Sequence, residues 1–304
     1  MPLDRQDDPD QQIPMPFAAA EAYARQVMAW SREPQPEGVV ATRDVAYGPH
    51  RLHRYDVFGP RNAGAAHDEK FAKGAPVLMF WHGGGWTNGY RAYNHFMARN
   101  VVALGCILVT PSYRLVTEAR FPAAFEDGLA ALVHVSQHIA GQGSNPRQIF
   151  LAGHSAGGHL AALVALRTAE RLAAGVPVDA VQGCLPISGI MDLHHPNPPP
   201  GSLEARVYEM VLQRPEQDVS MSPVSWTTAN RLPFVLTVGE HDSERVRRSN
   251  QALQGLLNAT VARCALHGMP GQNHFEAHTS LADPAHPWYG HLQRQMVASH
   301  SPTS

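Results

Sequence analysis

Eight short apolar runs, interleaved with helical patterns from the third onward, constrain this chain more than any other feature of its sequence. They are "VVATRDVAY" (39–47), "RLHRYDVF" (51–58), "APVLMFWH" (75–82), "CILVTPSY" (106–113), "RQIFLAG" (147–153), "GCLPISG" (183–189), "FVLTVG" (234–239) and "VARCALHG" (261–268). The first two, parted by "GPH", read as a hairpin. Later runs alternate with segments such as "PAAFEDGLAALVHVSQHIAG", where Pro122 suits a first helical position and Phe125, Leu129, Leu132 and Val133 share one stripe. Strands that are apolar on both faces need helices on both faces. The pattern therefore predicts an α/β fold with an eight-stranded, mostly parallel sheet and an antiparallel start.

Two segments fall outside the alternation. Residues 1–35 read as an acidic, Pro-rich tail followed by an amphipathic helix, "FAAAEAYARQVMAW", a candidate cap element. Residues 36–300 then form one α/β domain. Within it, residues 190–233 hold the "HHPNPPPG" turn and the helical pattern "LEARVYEMVL", which together suggest a small lid insertion or a plain surface loop. Residues 56–76, rich in Gly, Ala and charge, read as an exposed, flexible connection.

With 24 basic against 26 acidic residues, the net charge of −2 gives no general attraction to nucleic acid or an anionic membrane. No run approaches the ~20 apolar residues of a membrane span, and the N-terminus lacks the basic start and apolar core of a secretory signal. A cytoplasmic location is the resulting expectation. Cys106, Cys184 and Cys264 each fall within an expected strand and far apart, so buried, reduced thiols fit better than a zinc motif. His194 and His195 are adjacent and point apart, with no third ligand nearby, so no metal is expected.

The chemistry concentrates in "LAGHSAGG", where Gly153-His154-Ser155-Ala156-Gly157 follows a strand and opens a helix. A serine on such a sharp turn presents its hydroxyl at the top of the sheet, and residues two before and two after must lack a side chain. The turn also leaves the Ala156 amide free at a helix N-terminus. "MFWHGGGW" sets three glycines after the third strand, exposing backbone N–H groups that suit a developing oxyanion; it has neither the Gly-Lys-Ser/Thr of a phosphate loop nor Gly-x-Gly-x-x-Gly spacing. Gly83, Gly84 and Ala156 are the candidate oxyanion hole, with Gly85 providing clearance.

A serine hydroxyl needs a base. In strand order the base belongs after the last strand, where "GMPGQNHFEAH" offers His274, with His267 and His278 as rivals. The carboxylate belongs after the preceding strand, where "GEHDSERV" offers Asp242 ahead of Glu240. Trp86, Tyr90, His154 and Phe275 flank these motifs and are candidate substrate contacts, with Tyr90 equally suited to core packing. His82, Arg114 and His159 fit structural roles better.

In the order "HGGGW", "PSYRL", "FPAAFEDGLAAL", "GHSAGGHL" and "NHF", the chain resembles the α/β-hydrolase superfamily over about residues 39–300. Within it, the chain is similar to the esterase/lipase branch of arylformamidases (kynurenine formamidases) and hormone-sensitive-lipase-like carboxylesterases. The resemblance implies a cofactor-independent serine hydrolase with Ser155, His274 and Asp242 as its triad, cleaving small carboxylic esters or activated aryl amides through an acyl-enzyme. Trp86 after the glycines and "NHFE" lean toward the arylformamidases. A non-catalytic ligand-binding scaffold and an acyltransferase using the same triad remain alternatives. The expected partner is a small ester or amide rather than nucleic acid or membrane, and an exposed edge strand could pair two copies in a homodimer.

Overall fold

The structure, a computed structural model, describes residues 12–61, 74–139, 143–261 and 263–299. Its eight strands are β1 (Val39–Ala46), β2 (Arg54–Pro60), β3 (Ala75–Trp81), β4 (Ile107–Pro111), β5 (Ser144–His154), β6 (Val181–Ile187), β7 (Phe234–Gly239) and β8 (Cys264–Met269). They form one sheet in the order β1-β2-β4-β3-β5-β6-β7-β8. β2 runs antiparallel to both β1 and β4, and every other pairing is parallel.

The helices are α1 (Ala18–Ser31), α2 (Ala98–Ala103), α3 (Ala123–His138), α4 (Ala156–Leu166), α5 (Thr168–Ala173), α6 (Leu203–Arg206), α7 (Gln217–Ser220), α8 (Glu244–Asn258), α9 (Glu276–Thr279) and α10 (Pro287–Ala298). Side chains alternate across each strand, which divides the core in two. On one face Val77, Met79 and Trp81 of β3 join Ile149 and Leu151 of β5 against α3, α4 and α8. On the other, Leu78 and Phe80 join Phe150 and Ala152 against α2, α9 and α10. A strand covered this way has no solvent face, and every residue of β3 is buried.

Some local expectations need revision. The hairpin loop is longer than "GPH", and β2 starts at Arg54, because Leu52 is buried and His53 pairs with Asp127 at 3.0 Å. That pins the loop to the core. Residues 91–103 form a 3₁₀ turn, Arg91–Met97, followed by α2. The helix opened at Ala156 breaks at Arg167, whose ψ of 65° ends α4 before α5 begins. "LEARVYEMVL" becomes α6 continued by a π turn, Val207–Val211. Pro122 caps α3 from one position before its first turn. Of the connection expected at 56–76, residues 62–73 lie outside the described residues, as does the acidic start of the tail, residues 1–11.

All three cysteines are buried and free, Cys106 standing just before β4 and not inside it. Burial pushes the Cys106 and Cys184 thiols up, and that of Cys264 up to about 12. No helix among the described residues is long and apolar enough to cross a membrane. Arg114 braces its loop through a two-pronged bond to Asp127, Nε to Oδ2 at 3.0 Å and Nη2 to Oδ1 at 2.7 Å.

Four histidines around the sheet's carboxyl edge are fully or almost fully buried: His82, His154, His159 and His278. Burial disfavours the imidazolium, pushing His82 and His159 down to about 4, His278 down to about 3, and His154 well below its ordinary range. An unfolded chain protonates these groups near pH 6.5, whereas the folded chain keeps them neutral. Their contribution to stability is therefore complete above that pH and is lost as pH falls toward 4. Near pH 5, unfolding should take up about four protons from this set. Urea midpoints measured from pH 7.5 to 4.5 should fall steadily below pH 6.5; a flat profile would show these rings to be solvated.

Candidate active site

β5 ends at His154 and α4 begins at Ala156, leaving Ser155 to turn the chain at φ 54°, ψ −119°. That left-handed backbone is costly for any residue but glycine and persists only when its surroundings enforce it. The glycines on either side supply the enforcement. A Cβ on Gly157 would lie 2.1 Å from the Trp81 carbonyl oxygen, and one on Gly153 would lie 2.4 Å from the Gly157 carbonyl carbon. The first turn of α4 thus rests directly on the end of β3. Only hydrogen fits there.

Opposite Ser155, the loop after β3 is held open by its own bonds. Gly84 takes φ +120°, and its carbonyl accepts the Thr87 and Asn88 amides at 3.2 and 3.0 Å. His82 donates from Nδ1 to the Gly83 carbonyl at 2.8 Å and stacks on Tyr113 with centroids 4.4 Å apart. Gly83 faces the serine, since a Cβ there would stand 3.2 Å from the Ser155 Cβ. Among the described residues, no protein acceptor takes the Gly83, Gly84 or Ala156 amide. Three free N–H groups beside one serine can hold an oxyanion.

β8 leads into the loop carrying His274, and β7 into the tight turn carrying Asp242. His274 Nε2 lies 2.8 Å from Ser155 Oγ, and His274 Nδ1 lies 2.6 Å from Asp242 Oδ1. The Asp242 side chain is fully buried. Burial alone would raise its pKa; hydrogen bonds from His274, from Ser188 Oγ at 2.6 Å and from the Gly239 amide at 2.7 Å hold it below the usual carboxylate range. An ionised Asp242 accepts the proton on Nδ1, which leaves Nε2 free to accept from the serine hydroxyl.

The rival residues lie elsewhere. Glu240 is exposed and accepts the Gly271 amide at 2.7 Å. His267 stacks on His291, with centroids 4.0 Å apart. His278 is buried against Phe80, 2.8 Å from the Tyr23 hydroxyl. His159 bonds the Met221 carbonyl at 2.7 Å, and His194 pairs with Asp218 at 2.7 Å.

A cavity of about 290 Å³ opens over Ser155 and His274. Trp86 and Phe275 line it. Tyr90 does not: it is buried with Tyr23 and Tyr93, because the 3₁₀ turn that follows it packs under α1. His154 borders the cavity but acts on the base loop, its Nε2 donating to the His274 carbonyl at 2.8 Å. Behind it stands Tyr23 of α1, whose hydroxyl lies 3.4 Å from His154 Nδ1 and whose ring stacks on Phe275. The residues before α1 cross the glycine loop, where Gln12 exchanges two hydrogen bonds with Gly89 and Asn88 Nδ2 donates to the Ile13 carbonyl.

Ser188 and Tyr23 are functional neighbours that the sequence does not single out. Ser188 lies in a Ser-Gly pair at a strand end, at φ 50°, a position that reads only as a turn until β6 and β7 are placed side by side.

A parallel sheet bearing a serine–histidine–carboxylate chain at its carboxyl edge defines a hydrolase type of α/β protein. Residues 78–278 match the family described as alpha/beta hydrolase fold, and the chain belongs to that family. Esterase LipQ of Mycobacterium tuberculosis is 31% identical over 247 residues, covering 74% of this chain and 55% of that protein. Probable carboxylesterase 13 of Arabidopsis thaliana is 32% identical over 146 residues, 44% of each. The chain thus spans about half the length of these curated relatives. Among solved structures, a thermostable carboxylesterase cloned from a metagenomic library shares the fold, with a TM-score of 0.71 at 22% identity over 94% of this chain and 97% of that one. The hyperthermophilic esterase of Pyrobaculum calidifontis also has a TM-score of 0.71, at 24% identity over 92% and 91% of the two chains.

The relay predicts how Ser155 reacts with a fluorophosphonate probe. Asp242→Asn should slow labelling by about 10⁴-fold, since the amide favours the wrong His274 tautomer. Ser188→Ala, which removes one of three bonds to the carboxylate, should slow it by about tenfold. Glu240→Gln should label at the parent rate, and a large loss there would move the acid from Asp242 to Glu240.

Proposed function

We propose that this protein is a serine hydrolase of small carboxylic esters, working through an acyl-enzyme with Ser155, His274 and Asp242 as its triad. The observation that carries the reading is the continuous Ser155–His274–Asp242 hydrogen-bond chain, at 2.8 and 2.6 Å, in the floor of a cavity beside three unpaired amides. The names of the curated relatives, an esterase and a carboxylesterase, support the same class.

In this reading Ser155 Oγ attacks the ester carbonyl carbon while His274 Nε2 takes the hydroxyl proton. The Gly83, Gly84 and Ala156 amides hold the resulting oxyanion, and Asp242 holds His274 by its Nδ1–H. As the carbonyl re-forms, the bond to the leaving alcohol breaks and the alcohol takes the proton from His274. Water then attacks the acyl-enzyme, giving its proton to His274, and the acid departs as Oγ is reprotonated. The α1 end of the chain acts as a cap, since Met15, Pro16, Phe17, Ala20 and Tyr23 form one wall of the cavity.

The aromatic surface of Phe17, Tyr23, Trp86 and Phe275 supports a second substrate class, activated aryl formamides. Turnover of N-formylkynurenine beside p-nitrophenyl acetate, butyrate and hexanoate, with Ser155→Ala as control, separates the two. Ester turnover that is lost by up to about 10⁶-fold in Ser155→Ala supports the esterase. A kcat/KM for the formamide well above the esters would make the enzyme an arylformamidase. Near-parental turnover in Ser155→Ala would overturn the triad. Ester formation with an added alcohol in place of hydrolysis would mark an acyltransferase.

A further inference from the structure

The cavity is lined largely by apolar side chains, with one charged stretch. Glu204 and Arg206 of α6 and Arg245 of α8 line it together with Leu203, Val207 and Met210. Burying charge beside apolar surface is unfavourable unless the charge meets a partner. Arg245 is held from one side, its Nη2 donating to the Asp192 and Leu193 carbonyls at 3.3 and 3.1 Å. Its Nη1 is buried without a hydrogen bond, and the Glu204 carboxylate stops 3.6 Å away. Asp192 also influences Arg245 but does not line the cavity. Arg206 is half-buried and has no ion pair among the described residues. Two arginines and one glutamate thus line this stretch, which leaves the lining residues with one net positive charge.

We propose that this wall binds a carboxylate carried by the substrate away from its scissile bond, with Arg206 as the principal contact and Arg245 behind it. The preferred substrates would then be half-esters or amides with a free acid group. The inference rests on the hydrolase reading above. A carboxylate fits better than a phosphate monoester: its single charge matches the net charge of the wall, whereas a dianion would be set against Glu204. The flat guanidinium fork also matches the two oxygens of a carboxylate.

The test compares kcat/KM for mono-p-nitrophenyl succinate, glutarate and adipate with that for neutral p-nitrophenyl butyrate. At least one acid ester should exceed the neutral one by about tenfold or more, the increment of a charge-assisted hydrogen bond. Arg206→Gln should remove that preference mainly through KM, and Arg206→Lys should keep part of it. Arg25→Gln, on the exposed side of α1, should leave the preference unchanged. In parallel, the Ser155→Ala protein is titrated calorimetrically with monomethyl glutarate, which reads the anion site without any chemistry. Binding that is lost on adding Arg206→Gln supports the proposal. Equal handling of acid and neutral esters, or a preference that survives Arg206→Gln, overturns it, as does absence of monomethyl glutarate binding. If no ester of either kind is cleaved while monomethyl glutarate still binds through Arg206, the hydrolase reading falls and the anion site stands.

Discussion

The first turn of α4 lies against the end of β3 at a distance that only glycine allows, and the rest of the site depends on that contact. A Cβ on Gly157 would lie under 3 Å from the Trp81 and His82 carbonyl oxygens, and the helix cannot retreat without opening a void beside the central strand. The chain between β5 and α4 therefore has no room to relax, and Ser155 is held in its left-handed turn. The same contact brings the Ala156 amide and the glycine loop after β3 to the same side of the serine. Strain at one residue is balanced by packing across two strands and a helix.

Around that fixed point, His274 and Asp242 are set by loops whose ends are tied to each other. The Glu240 amide donates to the Met269 carbonyl and the His241 amide to the Gln272 carbonyl, so the turns after β7 and β8 are bonded to each other. His154 ties the second of these to the serine turn through the His274 carbonyl, and Tyr23 brings α1 into the same cluster. His154 and His278 are neutral within this arrangement, because burial disfavours a positive charge on either ring.

Much of this was legible along the chain. Apolar runs without alternation announced buried parallel strands, and Gly153 and Gly157 around Ser155 announced the turn, because each pattern has a single steric reading. Strand order pointed to the turns after the last two strands, and there the structure sets His274 Nε2 2.8 Å from Ser155 Oγ and His274 Nδ1 2.6 Å from Asp242 Oδ1. What the sequence did not show depended on contacts between distant segments. Tyr90 stands beside the glycine loop in sequence, yet it is buried under α1. His154, next to the serine, holds a backbone carbonyl 120 residues away. The start of β2 moved because Leu52 and His53 found partners in the core.

The sequence by itself determined the α/β class, the strand count, the serine turn and the residues able to form the hydrogen-bond chain, because these follow from periodicity and from where a side chain cannot fit. Tertiary structure alone decided what surrounds them: Ser188 on the Asp242 carboxylate, Tyr23 and His154 behind the base, and the charged stretch of Glu204, Arg206 and Arg245 facing the serine's cavity. Those groups come from five separate parts of the chain, and local sequence carries no measure of which surfaces will meet once the sheet has twisted and its loops have closed over the carboxyl edge.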